Sequence, residues 1–320
     1  MSEQSNLSEN SELNSALQSL VRGTANDLSA YICELGPATT VDGTLTTVRA
    51  YHVALDAQGQ SRLRDFAKRV ARRVIDYAIP RNKITEAQAR DLQAGSTESV
   101  EALSQEAHAL FTTAPNSGEG GEVLLSTLVE FVLGFPQLFT KMDLKTNRQV
   151  HAHGSDGIHA TVSSDGALAL CWGESKLHSG DYSAVDECLE SIAPYLLDEG
   201  GTDDRRHRDL VLLRDGLALR DPALVEAIKR FLNPDDVLFL KLEHRGVCLV
   251  GYNSPSYVGE ASTNTDLCSA LQASVTRVNN RVRQQVQANG LEARTLDIFH
   301  IPLPAVQEFR DAFRAEMRLT

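Results

Sequence analysis

The sequence predicts an α/β or α+β fold in which a mixed central sheet is flanked by helices. Apolar residues recur every three or four positions in several long segments, which is typical of amphipathic helices. Short runs of alternating or continuous apolar residues lie between those segments and are typical of strands. In the C-terminal two thirds these elements follow the order α, β, β, β, α, β with additions, an order that suits a sheet covered by helices.

The first part of the chain predicts a polar tail, a strand and a helix. Residues 1–14 are polar and are expected to be disordered. Residues 44–55 alternate as a strand does, and residues 61–79 place apolar side chains on one helical face before Pro80 ends the helix. The segment 61–83 carries eight basic residues against two acidic ones. Its basic face is by default a solvated surface, with contact to nucleic acid or to a protein partner as the alternative.

A glycine-rich segment then leads into an apolar helix. Residues 118–122 read Gly-Glu-Gly-Gly-Glu, and the helix is expected over residues 121–134, where Gly134 stops it. Glu122 lies in the first turn of this helix and Glu119 lies just ahead of it. The position in the helix favours Glu122 as the carboxylate that faces a site, and the choice between the two stays open.

The stretch from Asp156 to Lys176 predicts a β-hairpin with charged groups at its open end. Asp156 opens the first strand, a Ser-Ser-Asp-Gly turn follows at residues 163–166, and the second strand ends in Glu174-Ser175-Lys176. Side chains alternate along a strand, so Glu174 and Lys176 share a face while Ser175 points the other way. Antiparallel pairing places Asp156 and Glu174 at the same end of the hairpin.

The remaining segments predict further helices, a second hairpin and a last strand. A charged stretch at residues 198–209 is expected to be a solvated loop, with a mobile segment near the site as the alternative. The other predicted elements are helices at 183–197, 209–219, 222–232, 264–289 and 305–317, a hairpin of strands 237–243 and 247–252 turned by His244-Arg245-Gly246, and a strand at 295–301.

The charged groups of the first hairpin suit the hydrolysis of a phosphodiester. Mg²⁺ prefers hard oxygen ligands and usually takes one or two carboxylates from the protein. Asp156, Glu174 and the backbone carbonyl of Ser175 offer such ligands, and Glu122 completes or orients the set. Mg²⁺ or Mn²⁺ held there would polarise a phosphoryl oxygen and activate a water. Lys176 would hold that water and offset the negative charge that develops on the phosphate.

Each of these residues also has an ordinary structural explanation. Asp156 in a Ser-Asp-Gly sequence suits a turn, Glu174 and Lys176 suit a solvated pair on a strand, and Glu122 suits the N-terminal end of a helix dipole. The combination favours a site, because a mostly apolar strand ends in Glu-Ser-Lys and an aspartate stands at the matching end of the hairpin.

Composition narrows the class of protein. Apolar residues make up 42% of the 320, enough for a core, and the longest apolar stretch, residues 123–139, is broken by Glu130 and Pro136. We therefore expect no transmembrane helix and no signal peptide. The five cysteines include no Cys-x-x-Cys pair, which favours reduced core thiols in a cytoplasmic protein. His151 and His153 lack a third ligand at suitable spacing, so surface histidines are expected there.

The arrangement of Asp156 and the Glu-Ser-Lys motif at 174–176 resembles the PD-(D/E)xK nuclease superfamily, with Ser155 where a proline often stands. The segments around it are similar to the HamA family, the nuclease subunits of the Hachiman anti-phage defence system, over roughly residues 45–318. The segments that carry this similarity are Gly-Glu-Val-Leu-Leu at 121–125, Gly-Ser-Asp-Gly-Ile-His at 154–159, Gly-Glu-Ser-Lys-Leu at 173–177 and Phe-His-Ile-Pro-Leu-Pro at 299–304.

The resemblance implies a restriction-endonuclease-like catalytic domain. The order of the predicted elements places this domain over residues 116–320, preceded by an accessory lobe over residues 15–115. It also implies a metal-dependent deoxyribonuclease that is controlled by a HamB-like helicase. The net charge of −12 is unfavourable for a DNA enzyme, because acidic proteins repel a polyanion. Either the basic residues are concentrated on one surface of the protein, or a basic partner holds the DNA. The alternatives are a non-catalytic adaptor of a helicase and a stand-alone restriction-like endonuclease.

Overall fold

Four parallel strands form the centre of the sheet that organises the fold. The structure is a computed structural model that describes residues 11–139, 142, 154–197, 204–257 and 263–318. The strands are β1 (Ile32–Glu34), β2 (Thr39–Thr40), β3 (Thr46–Val53), β4 (Gln137–Phe139), β5 (Gly157–Val162), β6 (Leu168–His178), β7 (Glu243–Asn253) and β8 (Leu296–Leu303). Their order is β1-β3-β8-β7-β6-β5-β4, with β2 beside β3. Neighbours among β3, β8, β7 and β6 are parallel and the other pairs are antiparallel, so the predicted mixed sheet is confirmed.

Helices cover both faces of this sheet, as the sequence predicts. They are α1 (residues 11–18), α2 (Leu63–Ala71), α3 (Val74–Ala78), α4 (Arg81–Ala94), α5 (Glu98–Leu110), α6 (Glu119–Leu128), α7 (Asp181–Leu197), α8 (Asp204–Gly216), α9 (Pro222–Phe231), α10 (Asn264–Ala288) and α11 (Val306–Glu316). One buried cluster joins α2, α6 and α11 to the sheet, and a second joins α7, α9 and α10. None of the helices in the described ranges is both long and apolar enough to cross a bilayer.

Strand β6 separates these two clusters by the alternation of its side chains. Cys171 and Leu177 belong to the cluster on the α6 face, whereas Leu170 and Trp172 belong to the cluster on the α7 face. Because the strand is buried on both faces, it is apolar at nearly every position up to Trp172. Polar residues in its second half therefore stand out against an apolar background.

The predicted first hairpin is confirmed. Strands β5 and β6 pair in antiparallel register from Gly157 opposite Gly173 to Val162 opposite Leu168. Gly166 in the turn has a φ of 78°, in the left-handed region that glycine adopts without steric cost. The register fixes which residues lie at the open end of the hairpin.

The predicted second hairpin is wrong. Residues Val237–Lys241 form a 3₁₀ helix, and β7 runs unbroken through residues 244–246, where a turn was expected. Gly246 serves close packing instead of a turn, since a Cβ added to it would lie 2.6 Å from Leu296 Cδ2 and 3.1 Å from Leu196 Cδ1. This correction places β7 parallel to β6 and brings β8 into the centre of the sheet.

The N-terminal segment is ordered closer to the start of the chain than the sequence suggests. The prediction of disorder over residues 1–14 is wrong for residues 11–14, which belong to α1. Leu13 and Leu17 of this helix are buried against the cluster on the α7 face. Residues 1–10 lie outside the described part of the chain.

The sheet continues across the predicted boundary between the accessory lobe and the catalytic domain. Strand β3 lies in the predicted lobe at 15–115, and it pairs in parallel with β8 of the predicted domain at 116–320. The pairing extends from Thr46 opposite Leu296 to Ala50 opposite His300. The division of the chain at residue 115 stays a prediction.

Candidate metal-dependent active site

Strand β6 carries the Glu-Ser-Lys motif in its second half, and its two faces meet different helices. Trp172 stacks on Tyr195 of α7 with ring centroids 5.1 Å apart. Glu174 lines a cavity together with Tyr195 and so faces α7 as well. Ser175 faces α6, where a Cβ added to Gly121 would lie 3.3 Å from Ser175 Oγ. Side chains in a strand alternate between its faces, and the motif follows that rule as the sequence predicts.

Asp156 is bound to the backbone of this motif. It precedes Gly157, which lies opposite Gly173, and its own amide donates to the Gly173 carbonyl at 2.8 Å. Asp156 Oδ2 accepts hydrogen bonds from the Ser175 amide at 2.7 Å and from the Ser175 hydroxyl at 2.9 Å. A strand residue directs its N–H and C=O to the same side, so the Ser175 carbonyl also lies on the side of Asp156. The fold thus brings the predicted aspartate to the predicted Glu-Ser-Lys motif.

Glu174 and Lys176 form an ion pair on the α7 face. Lys176 Nζ donates to Glu174 Oε1 at 2.6 Å. Burial works against the charge on the ammonium, but Glu174 and, more weakly, Asp156 raise the pKa of Lys176 above its ordinary value. Lys176 is therefore a cation at neutral pH, and about a quarter of its side chain is exposed to solvent.

Tyr77 is a residue of the site that sequence reasoning missed. Its hydroxyl lies 2.8 Å from Glu122 Oε2 and 2.9 Å from the backbone carbonyl of Asp156, so it donates its proton between two acceptors. Burial first, and then the neighbouring carboxylate of Glu122, raise the pKa of Tyr77 well above its usual value, which keeps the hydroxyl protonated. The one signal in the sequence is a tyrosine on an apolar helix face, because a buried hydroxyl needs a partner.

The two glutamates that the sequence left open have different surroundings. Glu119 is 4% exposed, and its Oε2 accepts a hydrogen bond from the Thr112 amide at 2.8 Å. Glu122 is joined to Asp156 through Tyr77. Glu122 approaches the site from the α6 face, opposite to Glu174. This placement favours the orienting role for Glu122 over that of a shared ligand with Glu174.

The donor set at the hairpin end fits a hard divalent cation. Asp156, Glu174 and the Ser175 carbonyl are oxygen donors, and two carboxylates are the number that Mg²⁺ usually takes from a protein. Every hydrogen bond that the Asp156 carboxylate accepts from the described residues goes to Oδ2, which leaves Oδ1 without a partner among them. A third carboxylate is not gathered there: among the described residues, no three His, Cys, Asp or Glu side chains come together as a metal-holding group.

The loop ahead of Asp156 is held by α8, contrary to the prediction of a solvated loop at 198–209. Residues 204–209 are helical, and Asp209 is only 2% exposed. Asp209 Oδ2 accepts a hydrogen bond from the Ser155 amide at 3.1 Å. Residues 198–203, His151 and His153 lie outside the described ranges. A charged segment that looked like solvated surface therefore contributes to the support of the site.

A mixed sheet flanked by helices, with an aspartate and a Glu-x-Lys motif at one end of a strand pair, defines an α+β nuclease-like fold. The HamA family model matches residues 30–317, which include every residue of the candidate site. The chain belongs to the HamA family and thereby to the Hachiman anti-phage defence system. A comparison with curated proteins finds no match. The similarity expected over residues 45–318 is confirmed and begins earlier, at residue 30.

Proposed function

We propose that this protein is a Mg²⁺- or Mn²⁺-dependent deoxyribonuclease of the Hachiman system, controlled by a HamB-like helicase. The observation that carries the proposal is the attachment of Asp156 to Ser175 through two hydrogen bonds. These bonds hold a carboxylate on the backbone of the Glu-Ser-Lys motif, at the residue between Glu174 and Lys176, although 19 residues separate Asp156 from Ser175. Ordinary turn chemistry explains an aspartate at a hairpin end, but it does not require this clamp on a Glu-Ser-Lys strand.

The roles of the residues follow from their placement. Asp156 and Glu174, with the Ser175 carbonyl, would hold the cation. A divalent ion bound there supplies Lewis-acid polarisation of a phosphoryl oxygen. Lys176 keeps its charge at neutral pH, orients the attacking water and offsets the charge that develops on the phosphate. Tyr77 fixes the backbone of Asp156 and the carboxylate of Glu122, so that the carboxylates do not turn away when substrate binds.

The binding of DNA by an acidic chain finds support in the distribution of its charge. Arg64, Lys68 and Arg72 are exposed at a spacing of four on one face of α2 and its C-terminal end. By contrast, Arg73 and Arg81 of the same basic segment point inward and pair with Glu130. The exposed stripe is smaller than the sequence suggests, which favours a helicase partner as the main holder of the DNA.

The runner-up is a non-catalytic adaptor that binds a helicase through its arginine-bearing helices. Two observations favour it: the described residues gather no three-carboxylate group, and the basic stripe on α2 suits a protein partner as well as DNA. An adaptor of this kind would bind the helicase and leave linear DNA intact in the presence of Mn²⁺. A stand-alone restriction-like enzyme would instead cut DNA into discrete fragments without any partner.

The deciding experiment incubates the purified full-length protein with linear DNA and Mn²⁺, with and without the helicase. Lys176→Ala is expected to lower the rate by about 10²- to 10³-fold, the usual effect of removing one group that stabilises a developing charge. Lys229→Ala is the matched control, because Lys229 also pairs with a glutamate, Glu226 at 3.5 Å, but lies on α9. If Lys176→Ala cuts DNA as fast as the wild type and the control, the assignment is wrong.

A further inference from the structure

A cavity of about 310 Å³ opens beside Glu174, on the α7 face of the sheet. Its volume is about ten times the roughly 30 Å³ that one water occupies in the liquid, so a phosphate group with its solvent fits inside. The lining residues are Gly154, Glu174, Ser191, Tyr195, Arg205 and Arg208. The cavity therefore joins a carboxylate of the candidate site to two arginines of α8.

Two contacts fix the position of α8 relative to the candidate site. Gly154 has a φ of 127°, and a Cβ added to it would lie 2.6 Å from Asp209 Oδ2. A larger residue would push α8 away from the loop that carries Asp156. Arg206 Nη1 also donates to the Tyr195 carbonyl at 3.1 Å, which ties α8 to α7. The two arginines of the cavity are thus carried by a helix that is anchored on both sides.

The charges of the two arginines and of Glu174 all act on the phenol of Tyr195. Burial first, and then the carboxylates of Asp209 and Glu174, raise the pKa of Tyr195, while the charges of Arg208 and Arg205 oppose this rise. All four charges therefore lie within electrostatic range of one phenol. The Arg208 side chain is 45% exposed, and its bonds to Asp209, at 3.4 and 3.5 Å, are at the long limit for a hydrogen bond.

Guanidinium groups that line a cavity suit a phosphate. Arginine presents its donors in a planar fork that matches two phosphate oxygens, and most protein contacts to DNA go to phosphate and sugar. Two guanidiniums in the cavity also offset the repulsion between the site carboxylates and a polyanion. In a chain with a net charge of −12, such local compensation is needed next to the reacting phosphate.

We propose that Arg205 and Arg208 form a phosphate subsite that holds a backbone phosphate of the DNA strand beside Glu174. This inference rests on the proposed nuclease function, since it supplies the substrate contact of the same site. The subsite neighbours the scissile position and takes no part in bond cleavage. Its effect is on the binding and placement of the strand.

The test measures the binding of a fluorescent DNA oligonucleotide to the full-length protein at several salt concentrations. A Lys176→Ala background and a chelator of divalent cations keep the DNA intact. The double variant Arg205→Gln and Arg208→Gln is expected to bind at least about tenfold more weakly, as the loss of charge-assisted contacts predicts. The slope of log Kd against log salt should also fall by about 0.9 for each phosphate contact that is lost.

Arg214→Gln is the matched control, because Arg214 lies on the same helix, pairs with Asp215 and is not in the cavity lining. It removes one positive charge and is expected to leave the affinity nearly unchanged. Equal unfolding midpoints for the variants show that the loss is not due to unfolding. If the double variant binds DNA as well as the control does, the subsite is wrong even when the wild type cleaves DNA.

The cleavage and binding results separate the subsite from the nuclease function. A wild-type protein that binds DNA through these arginines but does not cut it retains the subsite and rejects the nuclease. A wild-type protein that has no affinity for the oligonucleotide alone rejects the subsite, and one that also fails to cut DNA in the presence of the helicase rejects both proposals. Cleavage by the wild type together with weak binding by the double variant supports both.

Discussion

Glu130 and Glu174 are both nearly buried, and the fold treats their carboxylates in different ways. The Glu130 side chain is 1% exposed and is surrounded by arginines from three segments. Those arginines are Arg22, Arg73 and Arg81, at 3.1, 2.9 and 3.4 Å. Glu174, 7% exposed, pairs with a lysine from its own strand and borders a cavity. One carboxylate is enclosed by its counter-charges, and the other has room beside it for a ligand.

The difference shows which buried charge is structural and which is suited to function. A buried charge costs several kcal/mol of free energy unless it is paired and hydrogen-bonded. The Glu130 network meets that requirement and joins α3 and α4 to the π-helical segment Val129–Leu133. Burial lowers the pKa of Arg81 to about 10, yet Arg81 stays charged at neutral pH. Glu174 pairs with Lys176 and borders a cavity, as we expect of a carboxylate that is proposed to meet a ligand.

The largest expected effect is on stability, and it comes from Glu130→Gln. This change removes the shared counter-charge of three half-buried guanidiniums, of which Arg22 and Arg73 keep a pairing with Asp76. We expect it to lower the free energy of unfolding by about 3–5 kcal/mol. Urea denaturation measures the loss. Cleavage per folded molecule should change little at low temperature, because Glu130 does not line the candidate site.

Glu174→Gln is the corresponding substitution at the candidate site, and its effects are to be compared with those of Glu130→Gln. It removes one charged hydrogen bond with Lys176, so the expected loss of stability is about 1–2 kcal/mol. Cleavage should be lost. Equal destabilisation by the two substitutions would contradict the distinction between a structural and a functional carboxylate.

The next largest effect is expected on lowering the pH. The buried histidines should make the protein less stable before its carboxylates become protonated. Burial lowers the pKa of His159 and of His300 to about 3, whereas the unfolded chain titrates near the ordinary value of 6.5. Between these values the unfolded chain binds more protons, so stability is full above pH 6.5 and falls as the pH is lowered. Each histidine adds a slope of up to about 1.4 kcal/mol per pH unit.

Urea denaturation at several pH values between about 7 and 5 measures this slope, in a range where carboxylates remain mostly ionised. His159→Asn keeps a polar group near Ser126 and cannot titrate, so it should reduce the slope by the share of one histidine. A slope that does not change in this variant would show that His159 is charged, or exposed, in the folded protein.

A smaller effect is expected from Tyr77→Phe, which removes only the hydroxyl between Glu122 and Asp156. Groups that orient metal ligands usually contribute about 10- to 100-fold to metal affinity or activity, and we expect the lower end, about tenfold. The Mn²⁺ concentration that gives half-maximal cleavage should rise. Tyr257→Phe is the control, because the hydroxyl of this half-buried tyrosine bonds to Val53 and Pro302 away from the site. The proposed role of Tyr77 fails if both variants respond to Mn²⁺ alike.

Local patterns were enough to predict the hairpin and the motif within it. The turn at Gly166 and the alternation along β6 involve neighbours in sequence, so periodicity defines them. The same holds for the mixed sheet and its flanking helices. Gly246 shows the limit, because glycine suits both a turn and close packing, and only the approach of Leu296 decides between them.

Support of the site depends on contacts that are remote in sequence. Tyr77 lies 45 residues from Glu122 and 79 from Asp156, and Asp209 lies 54 residues from Ser155. No periodicity links such partners, and a charged segment such as that around Asp209 resembles solvated surface until its burial is known. The sequence therefore predicts where the candidate residues lie along the hairpin, but it does not predict the residues that hold them in place.

Asp156 and Glu174 are proposed to share one divalent cation, and Mn²⁺ binding to the full-length protein tests this most directly. Isothermal titration should show one site in the wild type, and Asp156→Asn and Glu174→Gln should each weaken it by at least about tenfold. Glu226→Gln, which alters a carboxylate that pairs with Lys229 on α9, should leave the affinity unchanged. The same Mn²⁺ affinity in all three variants and the wild type would contradict the account.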